Sequence, residues 1–92
     1  MKIKVETNRT KFDPEHRLEL TTKEIRNYVF PRFKYFPKDK KHKMIPWLGK
    51  PGLALSYRKT DKGVVVGIME NGYGVPDKFY SLDELEEMML PF

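Results

Sequence analysis

Apolar and polar positions alternate most regularly over residues 53–69, LALSYRKTDKGVVVGIM. Leu53, Leu55 and Tyr57 alternate with Ala54, Ser56 and Arg58, and Val64, Val66 and Ile68 alternate with Val65, Gly67 and Met69. A period of two in β-branched and aromatic residues marks a strand. Between the two runs lies Thr60-Asp61-Lys62-Gly63. Asp favours turns through bonds from its side chain to nearby backbone, and Gly accepts positive φ. The stretch therefore predicts a β-hairpin. Two registers compete. A three-residue Asp61-Lys62-Gly63 loop pairs Arg58 with Val66 and Ser56 with Ile68. A two-residue Asp61-Lys62 loop pairs Tyr57 with Val66 and Leu55 with Ile68. A slip of one residue sends every side chain to the other face, so the apolar pattern should decide. The second register gathers Leu55, Tyr57, Val64, Val66 and Ile68 on one face and is preferred. Gly67 then falls on the thinner face, where a close neighbour can approach. Alternatively, Gly67 relieves twist or packs under a helix.

Weaker patterns place the other elements. Ile3 and Val5 alternate with Lys2, Lys4 and Glu6, which predicts a short strand. His16, Leu18 and Leu20 alternate in the same way, which predicts a partner for it, after a loop over 8–14. Thr21 with Glu24 forms a capping box, and Leu20 with Ile25 a hydrophobic staple, so a helix starts there. Ile25, Tyr28 and Val29 continue it, and Pro31 should stop or kink it near Val29 or Phe30. Residues 31–52 show little periodicity and many breakers, and predict a long loop tied down by Phe33, Tyr35, Phe36 and Trp47. Asn71-Gly72 signals a tight turn. Residues 75–80 predict an edge strand, because Pro76 cannot donate to a ladder. Tyr80, Ser81, Glu84 and Leu85 repeat the staple and capping box, and Pro91 closes a second helix with Leu82, Leu85 and Met89 buried.

The fold expected is α+β: a small antiparallel sheet centred on hairpin 53–69, covered by helices near 21–30 and 82–90. Its core should hold Ile3, Val5, Leu18, Ile25, Val29, Leu55, Val64, Val66, Ile68, Leu82, Leu85 and Met89. Ninety-two residues suit a single domain, 1–92, with one modest core.

Composition narrows the chemistry. The absence of cysteine removes disulfides and thiolate sites and fits a reducing compartment. No apolar run is long enough for a signal core or a bilayer span. A cytoplasmic protein with no membrane contact, cellular or viral, is expected. The net charge of +5 is unevenly spread. From Asp77 onward five acids face one base, leaving −4 there and +9 on the rest. Such asymmetry permits a basic surface for a polyanion beside a separate acidic helix.

Residues 32–43, RFKYFPKDKKHK, carry Arg32, Lys34, Lys38, Lys40, Lys41 and Lys43 against the single acid Asp39, with Phe33, Tyr35 and Phe36 between them. Cations displace the counterions condensed on a polyanion, and aromatic faces stack unpaired bases. A nucleic-acid-binding protein, single-stranded targets favoured, is the leading expectation. Lys50, Arg58, Lys59 and Lys62 extend the patch if this loop lies by the hairpin turn. The plain alternative is that the rings anchor the loop while the lysines are solvated. Neither an RNA-recognition strand pattern nor a Walker A loop is present.

A second expectation is a protein-binding modulator or inhibitor. It would use Trp47 as an exposed anchor together with Glu86 and Glu87 on the acidic helix. Trp47 as a lid on the sheet, and the acids as a solvated face, are the alternatives. A third is a small basic endoribonuclease using His42, Tyr57 and Arg58, although nothing in the spacing fixes such a geometry. Two distant histidines and scattered carboxylates give no metal spacing, and no cofactor is implied.

Overall fold

The computed structural model describes residues 2–47, 51–70 and 74–90. The turn at Asn71-Gly72, the stop at Pro91 and the patch residue Lys50 lie outside them. The fold is α+β, as the pattern predicts. Strands β1 (Lys2–Val5) and β2 (Leu18–Thr21) form an antiparallel ribbon. Strands β3 (His42–Pro46), β4 (Leu53–Thr60), β5 (Gly63–Glu70) and β6 (Phe79–Ser81) form an antiparallel sheet in the order β3-β4-β5-β6.

The central hairpin takes the two-residue register. Leu55 stands opposite Ile68, Tyr57 opposite Val66, and Thr60 opposite Gly63. Gly63 adopts φ +117° at the end of the turn, a conformation that side chains with a Cβ rarely take. Leu55, Tyr57, Val66 and Ile68 are buried together, with Val64 packed at their edge. On the other face Gly67 meets neither a helix nor an open space. A Cβ there would lie 2.4 Å from Cβ and 2.6 Å from Cγ of Pro76. Pro76 is thus outside the edge strand and acts as a lid on the sheet.

Both capping boxes form. Thr21 accepts from the Glu24 amide at 3.1 Å while Glu24 accepts from the Thr21 amide at 2.9 Å. Ser81 and Glu84 repeat the exchange at 3.1 and 3.4 Å. Each cap of this kind is worth about 1 kcal/mol. The second helix, α2, spans Leu82–Met88 and buries Leu85, with Met89 buried just beyond it.

The first helix does not stop at Pro31. Turns Thr22–Glu24, Ile25–Val29 and Phe30–Lys34 follow one another as a single helix, α1, and the middle turn is π-helical. Proline inside an α-helix removes a hydrogen bond and crowds the carbonyl of the turn before it. A π turn immediately ahead of Pro31 widens that turn, so the chain carries on instead of breaking.

β3 is the other departure, since no strand is expected within 31–52. It is an edge strand on which only Ile45 is half-buried, so its sequence has no apolar alternation to see. A lysine-bearing edge is a common guard against unwanted pairing.

One core joins all layers. Ile3, Val5 and Leu20 from the ribbon meet Ile25 and Val29 of α1, the inner sheet face, Tyr80, Leu85 and Met89. Leu18 and Val64 sit at its margin and Leu82 is outside it, while Leu20, Trp47, Tyr57 and Tyr80 join the expected set.

The ribbon is fastened to the end of β5. Asn8 Oδ1 accepts from the Glu70 amide at 2.7 Å, and Asn8 Nδ2 donates to the Glu70 carbonyl at 3.1 Å. The Glu70 carboxylate lies 2.9 Å from His16 Nε2 and 3.8 Å from Arg9 Nε.

Candidate nucleic-acid interface

Segment 32–43 is divided among three elements rather than forming one loop. Arg32, Phe33 and Lys34 end α1, with Tyr35 as its cap. Lys38, Lys40 and Lys41 lie on the connecting turns, and Lys43 is on β3. The carbonyl of Lys41 accepts from the Lys59 amide at 2.8 Å, which draws the turn against the end of β4. Lys38, Lys40, Lys41 and Lys59 thereby line one cleft of about 390 Å³, with Asp39, Thr60 and Asp61. The patch and the hairpin turn are therefore adjacent, and Lys62 stands exposed at its tip.

A second hollow lies between the end of α1 and β3. It has a volume of about 300 Å³ and is lined by Asn27, Tyr28, Arg32, Tyr35, Phe36 and Lys43, among others. Arg32, Tyr35 and Lys43 are patch residues read from the sequence. Asn27 and Tyr28 are not, because the predicted helix ends before Arg32. Carried through Pro31, that helix sets Tyr28, Arg32 and Tyr35 at intervals of four and three residues, on one face.

The aromatic residues play different parts. Tyr35 is 74% exposed, with Lys34 Nζ 5.8 Å from its ring centre. Phe33 points the other way, packs on the core and meets Tyr57 edge to face at 5.4 Å. Phe33 is a structural anchor, not a contact residue. Arg58 also departs from the patch. Strand alternation places it with His42 on the outer sheet face, where its guanidinium covers the Phe79 ring at 4.7 Å.

The charges are distributed unequally between pairs and open sites. The ion pairs found, Glu70 with His16 and Arg9, Glu6 with Arg17, and Glu84 with Lys78, leave this region untouched. Among the described residues, Arg32, Lys38, Lys40, Lys41, Lys43, Lys59 and Lys62 have no salt bridge to a carboxylate.

The other candidate residues separate. Trp47 is 4% exposed and belongs to the core, so it cannot serve as an exposed anchor. Its amide extends the β3–β4 ladder to the Leu53 carbonyl at 3.0 Å, and its ring leans on Tyr28 at 5.8 Å. Glu86 and Glu87 are exposed and border a different groove, of about 490 Å³, between α1 and α2. His42, Tyr57 and Arg58 do not converge. Tyr57 points to the inner face and is buried, with its hydroxyl donating to the Val29 carbonyl at 2.8 Å. His42 instead lies 3.4 Å from the buried Ser56 hydroxyl on the outer face.

Among the described residues, no group of three or more acidic or histidine side chains is placed to hold a metal ion. No helix among them is long and apolar enough to cross a membrane. Compared with known protein families, curated proteins and solved structures, the chain matches none.

Proposed function

We propose that the protein binds single-stranded nucleic acid, without acting on it chemically, along the surface built by the end of α1, turns 37–41 and the tip of the β4–β5 hairpin. One observation carries this. Lys38, Lys40 and Lys41 meet Lys59 in one cleft, Arg32 and Lys43 share another hollow, and none of these cations has a salt bridge among the described residues. Crowding like charges costs free energy that a polyanion returns by releasing its counterions. Tyr35 adds an exposed ring for stacking, which favours unpaired strands over duplex.

The experiment is fluorescence anisotropy against labelled single- and double-stranded DNA and RNA over a range of salt. Affinity should fall steeply as salt rises. Replacing Lys38, Lys40, Lys41 and Lys59 together by glutamine should lower affinity at low salt by about 100-fold. It should also reduce the salt slope by about 3, at roughly 0.7 per phosphate contact. Lys78→Gln, at a lysine already paired with Glu84, should leave binding within about twofold. Wild-type affinity in the fourfold variant would remove the surface from consideration. Salt-independent binding, or none, would remove the function.

A further inference from the structure

The hollow between α1 and β3 asks for a ligand more specific than a sugar–phosphate backbone. At about 300 Å³ it is at the small end of ligand pockets, which run from about 300 to 1,000 Å³. That is room for one ring system with a pendant group, and too little for a duplex. Tyr28 and Tyr35 supply aromatic faces, and the Tyr28 ring is braced against Trp47. Arg32 stands between them along the helix, and Lys43 joins it from β3, both without a salt bridge among the described residues. Asn27 brings an amide that both donates and accepts.

Beside the hollow lies a second, smaller space. The indole Nε1 of Trp47 is buried and has no hydrogen-bond partner among the described residues. Trp47 lines a small cavity of about 40 Å³ whose other walls include Tyr28 and Arg32, the same two residues that line the larger hollow.

Flat faces, two open cations and an amide match the parts of a nucleotide: a π-system, a phosphate and polar base edges. We infer that this pocket receives one unstacked nucleobase of a bound single strand, its ring against Tyr35 and its phosphate on Arg32 and Lys43. The inference rests on the nucleic-acid function proposed above and adds a base-dependent component to it. A base in a duplex is stacked and paired and must be extruded to enter, whereas a base in a single strand is already available.

The test compares a short oligothymidylate with an abasic sugar–phosphate strand of equal length and charge. Wild-type protein should bind the base-bearing strand about tenfold or more tightly, the gain typical of one aromatic stack. Tyr35→Ala should abolish that preference and leave abasic binding unchanged. Its ring is mostly exposed, so the fold should survive. Arg32→Gln should weaken binding of both strands and preserve the preference. Equal affinity of wild-type protein for the two strands, or an intact preference in Tyr35→Ala, overturns the pocket while salt-sensitive binding to both keeps the basic surface. Loss of salt-sensitive binding to either strand overturns both. Thymidine monophosphate alone, followed through the Asn27 side-chain amide by NMR, separates the sources. Saturation at micromolar concentration assigns the pocket to a free nucleotide and so overturns the strand assignment. Saturation only at millimolar concentration supports a nucleotide held within a strand.

Discussion

Truncating Tyr57 to alanine should cost about 3–5 kcal/mol, the loss usual for a large buried ring. For a domain of this size that is a large share of a total stability of about 5–15 kcal/mol. Tyr57 is fully buried, meets Phe33 edge to face, and binds the Val29 carbonyl through its hydroxyl. Tyr57→Phe separates these contributions. It keeps the ring and strands the carbonyl at the end of the π turn, for an expected loss of about 1–3 kcal/mol. Urea midpoints at neutral pH measure both. Equal losses would mean that the hydroxyl, not the ring, secures α1 to the sheet.

The same pair predicts alkaline behaviour. Burial raises the Tyr57 phenol well above its ordinary value of 10.0, and the nearby Arg32 charge offsets this only in part. Burial also raises Tyr80, against the weaker opposing effect of the Glu6 amide that donates to its oxygen. A raised phenol means that the folded state keeps its proton after the unfolded chain has lost it. The stabilisation is complete below pH 10.0 and is lost as pH climbs past that value. Wild-type protein should therefore weaken above pH 10.0, and Tyr57→Phe should weaken with a shallower slope because one of these two raised phenols is gone.

Replacing Gly67 by valine should destabilise the domain by about 2–3 kcal/mol or more, although valine is the better strand former. The reason lies across the sheet face. The first added carbon would overlap the Pro76 ring and come within 3.1 Å of the Phe79 ring. Neither neighbour can yield cheaply, because Phe79 is held in β6 and Pro76 is a rigid ring. Pro76→Gly should recover much of the loss in the double variant, an interaction that a double-mutant cycle reads directly. Thermal unfolding of the four proteins is sufficient. A stabilised Gly67→Val would show that strand preference, not the proline lid, governs this position.

These positions show what a sequence carries openly and what it does not. The hairpin register is legible because turn and apolar face agree within a few residues of each other. So are the two capping boxes, whose partners are three residues apart. β3 is hidden because the edge of a sheet needs no apolar period. The passage of α1 through Pro31 is hidden because it depends on a widened turn, which composition does not announce. That single difference conceals one wall of the pocket, since Asn27 and Tyr28 join Arg32 and Tyr35 only on an uninterrupted helix. Trp47 and Phe33 show the converse. Their type suits a contact surface, but each is drawn inward by partners distant in sequence.

The bonds between Asn8 and Glu70 also imply an order of assembly. The β4–β5 hairpin closes over a two-residue turn, whereas this clasp joins positions 62 apart in the chain. Long closures lose more chain entropy than short ones, so the hairpin is expected to close before the ribbon docks on it. The same order, reversed, predicts how the folded protein opens locally. β1 and β2 should lift away as a unit while β4 and β5 stay paired, and their amides should exchange with deuterium sooner than those of the hairpin. Uniform exchange across both sheets would instead mean that the domain opens only as a whole.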